Sequence, residues 1–111
     1  MEIVYRSWGH YKVLYSGDGF KVKELVINPH SSLSMQKLQY RSETWSIVSG
    51  DAEVLLGTDN KLKLTKEESI FIPINTWHKG MNNTDEPAHI IEIWRGTNLT
   101  EDDIERQKLI M

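Results

Sequence analysis

Residues 43–64 read ETWSIVSGDAEVLLGTDNKLKL, and this stretch decides the fold. It holds three short runs of mainly apolar and alternating residues, separated by turn formers at residues 49–51 and 57–60. Short runs bounded by glycine, asparagine, aspartate and serine are typical of β-strands joined by tight turns. Residues 43–48, 52–56 and 61–64 are therefore predicted to form a meander of hairpins.

The same pattern continues towards the N-terminus. Residues 11–15 and 20–27 are predicted strands joined by Ser16-Gly17-Asp18-Gly19, whose glycines suit a hairpin turn. A further turn is predicted at residues 28–32, followed by a strand over residues 33–40. Alternation in that strand places Gln36, Leu38 and Tyr40 on one face. The rhythm predicts an all-β sandwich or barrel.

The C-terminal tail differs, because its pattern predicts a short helix. Thr100 is a suitable N-cap, and Asp103 lies three positions later, where acidic residues favour the helix N-terminus. Ile104 and Leu109 would pack this helix against the barrel. A frayed, solvated end is the alternative, because a segment this short is marginal as an isolated helix.

Composition limits the classes of function. A chain of 111 residues is expected to form a single domain, residues 1–111. The absence of cysteine excludes thiolate metal sites, so any metal must be held by nitrogen or oxygen ligands. Thirteen lysines and arginines against sixteen acidic residues give a net charge of −3, and no apolar run is long enough for a membrane span. A cytoplasmic protein without nucleic-acid or membrane partners is expected.

Several separated motifs carry a family resemblance. They are LSMQ (33–36), YRSETW (40–45), VSG (48–50), and Ile72-Pro73 followed by Trp77-His78. Together they resemble the cupin superfamily. With WGHYKVL (8–14) and EDDI (101–104), the match is similar to the type II mannose-6-phosphate isomerase domain, as found in the C-terminal part of bifunctional mannose-1-phosphate guanylyltransferases. The resemblance implies a single cupin (double-stranded β-helix, jelly-roll) barrel.

The resemblance also implies a site. Members of this family use a divalent metal to interconvert an aldose and a ketose phosphate. By position, Gln36, Glu43 and His78 correspond to metal ligands, and Arg41, Glu43 and His78 to catalytic residues. Leu38 stands where the family has a further histidine. One imidazole makes a poor tight site. A bound divalent metal such as Zn²⁺, Mn²⁺ or Ni²⁺ is therefore expected to be weak or absent, which also makes isomerase activity doubtful.

Each candidate has a structural alternative. Gln36 could bond a neighbouring strand, and His78 could be an ordinary, partly exposed histidine. If Glu43 points inward, its carboxylate needs a partner, which could be Arg41, His78 or a metal. The alternative is that Glu43 is exposed at the edge of a sheet. Arg41 is the candidate for binding a phosphate group, because its guanidinium can form two parallel hydrogen bonds. The alternatives are an ion pair with Glu43 or an exposed charge in a turn. Lys12, Lys21 and Lys23 could add positive potential at the mouth of a pocket, but alternating lysines on a hairpin are more typical of a solvated face or of edge protection.

The expected ligand is a small-molecule sugar phosphate or nucleotide sugar. No glycine-rich phosphate-binding loop occurs, so guanylyl transfer is not expected of this chain by itself. A homodimer is expected, with the apolar residues 3–5 and Trp8 at its interface. The alternative function is a non-catalytic homodimeric cupin that acts as a metabolite sensor or scaffold. An epimerase or an iron dioxygenase is disfavoured, because the latter needs two histidines and a carboxylate.

Overall fold

A computed structural model describes residues 2–97, residue 99 and residues 104–106. These residues form twelve β-strands and no helix, so none of their elements is a helix that could cross a membrane. The strands are β1 (Val4–Arg6), β2 (Gly9–Gly17), β3 (Phe20–Ile27), β4 (Ser31–Ser32), β5 (Gln36–Leu38), β6 (Arg41–Ser49), β7 (Ala52–Leu56), β8 (Asn60–Leu64), β9 (Ser69–Ile72), β10 (His78–Asn82), β11 (Ala88–Gly96) and β12 (Ile104–Arg106). The predicted all-β architecture is confirmed.

The strands form two antiparallel sheets that enclose one core. In the first sheet the order is β1-β2-β3-β11-β6-β9. In the second it is β12-β5-β10-β7-β8, and β4 also pairs with β10. The predicted hairpins β2–β3 and β7–β8 are confirmed by their registers, in which Lys12 pairs with Glu24 and Val54 with Leu62.

The predicted hairpin between residues 43–48 and 52–56 is wrong. β6 pairs with β11 and β9 in the first sheet, whereas β7 pairs with β8 and β10 in the second. Both edges of β6 are therefore occupied, and β7 has no place beside it. Gly50 makes the crossing with a φ of 77°, and a Cβ there would come within 2.4 Å of the Pro87 carbonyl oxygen. Residues 49–51 thus form a turn that changes sheet.

The strand predicted over residues 33–40 is shorter than expected. β5 covers only Gln36–Leu38, and Ser31–Ser32 form β4 where a turn is predicted. Leu38 is buried, but Tyr40 lies beyond the strand and is 52% exposed. The carbonyl of Leu38 accepts a bond from the Asn75 backbone N–H at 2.7 Å, so a loop replaces a strand partner at this point.

The predicted C-terminal helix is wrong at Ile104, which lies in strand β12. In this strand Ile104 pairs with Leu38 and Arg106 with Gln36. The physical reason is that the backbone N–H and C=O groups on the outer edge of β5 need hydrogen-bond partners. A strand can supply these partners along the edge, whereas a helix cannot. Thr100, Asp103 and Leu109, the other residues of the predicted helix, lie outside the described residues.

Buried side chains along neighbouring strands change from apolar to charged in one direction. From the apolar end to the charged end, the inward residues of β6 are Ile47, Trp45, Glu43 and Arg41, and those of β11 are Ile90, Glu92 and Trp94. Ile90 lies opposite Ile47, whereas Trp94 lies opposite Glu43. One end of the barrel is therefore an apolar core, and the other end holds the charged residues.

Candidate functional site

A cavity of about 790 Å³ lies at the charged end of the barrel. Both sheets line it: Lys23, Arg41 and Glu43 belong to the first sheet, and Gln36 and His78 to the second. Cavities of roughly 300–1,000 Å³ accommodate small organic ligands. The fold thus brings the four site residues predicted from the sequence, Gln36, Arg41, Glu43 and His78, around one space.

Glu43 is buried and fully engaged by its own strand. Its Oε2 accepts a bond from Nε of Arg41 at 3.1 Å, and its Oε1 accepts one from the indole N–H of Trp45 at 2.8 Å. All three side chains occupy alternate inward positions of β6. Arg41 is 1% and Glu43 3% exposed. The exposed alternatives for both residues are wrong, and Arg41 is the ion-pair partner of Glu43.

A second buried carboxyl group, Glu92, lies in the same cavity wall. It is in register with Lys23 on β3 and Trp45 on β6, and its Oε1 accepts a bond from the Trp94 indole at 3.1 Å. Burial, reinforced by repulsion from Glu43, raises the pKa of Glu92 to about 8. At neutral pH Glu92 is therefore mostly a neutral acid.

The prediction of a solvated face at Lys23 is wrong, because this lysine is only 3% exposed. Its Nζ lies 3.8 Å from the ring centroid of Tyr11 and 4.2 Å from that of Trp94. The guanidinium carbon of Arg41 lies 3.2 Å from the Trp94 ring. Aromatic faces attract cations electrostatically, which offsets part of the cost of burying them.

His78 begins β10 and is buried against Trp45, with the two ring centroids 5.9 Å apart in an edge-to-face arrangement. Its Nδ1 lies 3.0 Å from the carbonyl oxygen of Thr76. A carbonyl only accepts, so Nδ1 carries the proton and Nε2 of the neutral ring keeps a lone pair. Gln36 pairs with His78 across the strands, and its Nε2 donates to the Ser34 hydroxyl at 3.4 Å.

These donors do not fit a tightly held transition metal. Within residues 2–97, 99 and 104–106, no three His, Cys, Asp or Glu side chains are placed to hold an ion. A metal at Glu43 would compete with Arg41 and Trp45 for both carboxylate oxygens. Leu38 is buried and is not among the described residues that line the cavity. The weak metal site therefore stays a prediction, and no chemical step is assigned to a metal.

Gly80 sets the position of Trp45, and through it the position of Glu43. A Cβ at Gly80 would lie 2.7 Å from Cζ3 and 2.9 Å from Cη2 of Trp45. We expect Gly80→Ala to lower the free energy of unfolding by about 1–3 kcal/mol, measured by urea denaturation, because the indole must shift. In a Trp45→Phe background, which lacks those two atoms, the same change should cost much less. Equal costs in both backgrounds would contradict this explanation.

Sequence reasoning missed Glu92 and Trp94, and for Lys23 it favoured a solvated face over a place at the pocket. The sequence 88–92, AHIIE, could have indicated Glu92, because a single acidic residue there interrupts a mainly apolar strand. Such a residue on a buried strand points inward half of the time and then needs a compensating partner. The partner, Lys23, lies on a strand that is distant in sequence, so only the topology reveals it.

Comparison with known proteins extends these observations. The sequence matches the family described as "Mannose-6-phosphate isomerase C-terminal" over residues 1–108. It is 44% identical over 103 residues to the alginate biosynthesis protein AlgA of Pseudomonas putida, covering 93% of this chain and 21% of that protein. It is 42% identical over 103 residues to the xanthan biosynthesis protein XanB of Xanthomonas campestris, covering 93% of this chain and 22% of XanB. The chain therefore spans about a fifth of the length of these relatives.

Solved structures with similar backbones belong to the same fold. A protein with a double-stranded β-helix domain from Klebsiella pneumoniae matches with a TM-score of 0.78 at 18% identity, covering 96% of this chain and 91% of that one. The cupin domain of Schizosaccharomyces pombe Cnp3 matches with a TM-score of 0.75 at 11% identity, covering 78% and 64%. The barrel is thus a cupin fold, and the chain belongs to the mannose-6-phosphate isomerase C-terminal family.

Proposed function

We propose that the chain binds a phosphorylated sugar or a nucleotide sugar in the barrel cavity. The observation that carries this proposal is the pair of buried cations, Lys23 and Arg41, in the wall of a cavity of about 790 Å³. Ammonium and guanidinium groups match the charge of a phosphate ester, and a guanidinium also matches the geometry of its oxygens.

The relatives support a place in carbohydrate metabolism. Their names refer to alginate and xanthan biosynthesis, and a further relative, 40% identical over 105 residues, is a mannose-1-phosphate guanylyltransferase of Escherichia coli O157:H7, 22% of which the chain covers. We therefore place the ligand among the sugar phosphates and nucleotide sugars that feed polysaccharide synthesis. A cytoplasmic location and a homodimer, both expected from the sequence, stay predictions.

Binding is proposed in preference to efficient isomerisation. Moving a proton between two sugar carbons needs a base with a free lone pair and a group that stabilises charge on the oxygens. Both oxygens of Glu43 already accept bonds from its own strand, so this carboxylate is not positioned to take a proton from a ligand. Nε2 of His78 keeps a lone pair in the neutral ring and is the better acceptor. The donor set for a metal is poor, so catalytic turnover is expected to be slow or absent.

Isothermal calorimetry and thermal unfolding with mannose 6-phosphate, GDP-mannose and unphosphorylated mannose test the proposal. The phosphorylated ligands should bind and raise the melting temperature, because a ligand at about 100 times its Kd stabilises the folded state by about 2.7 kcal/mol. Mannose should have little effect. Equal responses to mannose and mannose 6-phosphate, or no response to any of the three, would overturn the proposal.

A coupled assay for fructose 6-phosphate, run with Zn²⁺, Mn²⁺ and Ni²⁺, separates a binder from an isomerase. The expected result is little or no turnover with each metal. Metal-dependent turnover that disappears in the His78→Ala variant would contradict the preference for binding, while leaving the proposed ligand class in place.

A further inference from the structure

We propose that two copies of this chain associate through the outer face of the first sheet. The apolar side chains of this outer face are Tyr15, Phe20, Val22, Ile91, Ile93 and Phe71. The inference goes beyond the proposed function and does not depend on it. It also differs in place from the homodimer expected from the sequence, which would use residues 3–5 and Trp8, because Trp8 packs against the core of its own barrel.

The registers of five neighbouring strands align these side chains across the outer face. Side chains alternate between the two faces of a sheet, and the inward ones of these strands line the core and the cavity. One outward row runs from β2 to β9 through Tyr15, Val22, Ile93, Thr44 and Phe71. Tyr15 is 59%, Phe20 37% and Phe71 56% exposed. The outer face therefore presents half-buried aliphatic residues at its centre and exposed aromatic rings at both margins.

The charged residues of the outer face already have partners within one copy. On β3, β6, β9 and β11, the charged outward residues are Glu24 and Arg95. Lys12 pairs with Glu24 at 3.5 Å, and Arg95 donates to the Thr44 hydroxyl at 2.9 Å. A second copy that covers this face need not supply a counter-charge, which lowers the cost of burying it.

The outer face of the second sheet has the opposite character. Its outward residues include four lysines, namely Lys37, Lys61, Lys63 and Lys79. Lysines on a sheet face oppose association, because their charges must be desolvated and repel those of another copy. Contiguous apolar surface is instead typical of protein interfaces. The contrast between the sheets selects the first one as the contact surface.

The size and symmetry of the outer face suit a second copy. β2, β6 and β11 are nine residues long. Five strands of about this length cover roughly 24 by 30 Å, or about 700 Å² per copy, whereas specific interfaces bury roughly 800 Å² per partner. β11 is the central strand of the row. A twofold axis along β11 sets Ile93 against Ile93 and the β2 margin with Tyr15 over the β9 margin with Phe71, so the surface complements itself.

Sedimentation equilibrium of the native chain and of three variants tests the proposal. The native chain should be a dimer at about 10 μM, within the range of a standard-size interface. Ile93→Lys should raise the dimer Kd by about 100-fold or more, because two ammonium groups would meet at the symmetry axis. Phe71→Lys, at an exposed position, should raise it by about tenfold. Met81→Lys is the control, because Met81 is half-buried on the outer face of the second sheet. Its effect should stay below about threefold.

Each outcome decides between this surface and another. A native chain that stays monomeric up to about 100 μM would overturn the proposal and leave the outer face to a partner other than this chain. A folded Ile93→Lys that dimerises like the native chain would show that the copies meet elsewhere. So would a Met81→Lys that weakens the dimer as much as Phe71→Lys does. Should Ile93→Lys not fold, Phe71→Lys decides, and an unchanged dimer Kd there would overturn the proposal.

Discussion

Arg41→Met is expected to lower the free energy of unfolding by about 3–5 kcal/mol, the usual cost of removing one partner from a buried ion pair. Glu43 would lose the bond from Nε of Arg41 and, among the described residues, would keep the bond from the Trp45 indole, while its negative charge stays buried. The stacking of the guanidinium on Trp94, at 3.2 Å from the ring centroid, would also be lost. Equilibrium urea denaturation followed by tryptophan fluorescence measures the change.

A double variant provides the control for this result. In Arg41→Met/Glu43→Gln no buried charge is left unpaired at this position, so the double variant should be more stable than Arg41→Met alone. A loss below about 1 kcal/mol in Arg41→Met would show that Glu43 is compensated by other groups. A double variant that is less stable than the single one would contradict the ion-pair explanation.

Glu92→Gln is expected to change how stability depends on pH. Burial raises the pKa of Glu92 to about 8 in the folded protein, whereas the ordinary pKa of a glutamate, which applies to the unfolded chain, is 4.5. Between these values the folded state binds more protons, so the native chain loses stability as pH rises, by up to about 1.4 kcal/mol per pH unit from this residue. The groups facing Glu92 are Lys23 on β3, Glu43 and Arg41 on β6, and Trp94 on β11 itself.

Urea denaturation at pH 5, 6, 7 and 8 checks this expectation. Glutamine has no proton to release, so Glu92→Gln should gain stability relative to the native chain with each step towards pH 8. Glu24→Gln is the control, because Glu24 lies on the same strand as Lys23 but is half-exposed and paired with Lys12. It should leave the pH dependence of the native chain almost unchanged. Parallel curves for Glu92→Gln and the native chain would mean that Glu92 is ionised when buried.

Local signals in the sequence were sufficient for much of the fold. The glycine turns at residues 16–19 and 57–60 correctly predict the β2–β3 and β7–β8 hairpins. They fail at residues 49–51, because a turn of the same composition can either pair its flanking strands or pass the chain to another sheet. Which of these occurs depends on β9 and β11, which occupy both edges of β6 and come later in the chain.

The candidate site was predictable only where motifs mark it. Gln36, Arg41, Glu43 and His78 were found through the family resemblance, and the structure places all four around one cavity. Lys23 was assigned to solvent because alternation along a strand does not say which of its two faces is buried. That choice is made by the neighbouring strand β11, whose inward Trp94 and Glu92 receive the lysine.

The gradient from apolar to charged side chains along β6 and β11 has a consequence for how this family can diverge. The buried charged groups of the cavity wall lie on paired strands, so each has a neighbour in its own or the adjoining strand: Glu43 is ion-paired with Arg41, and Glu92 is in register with Lys23. A substitution at one of these positions changes the compensation of its neighbour. Changes at the charged end of the barrel should therefore occur as linked pairs of substitutions. Residues at the apolar end can be substituted without such a linked change.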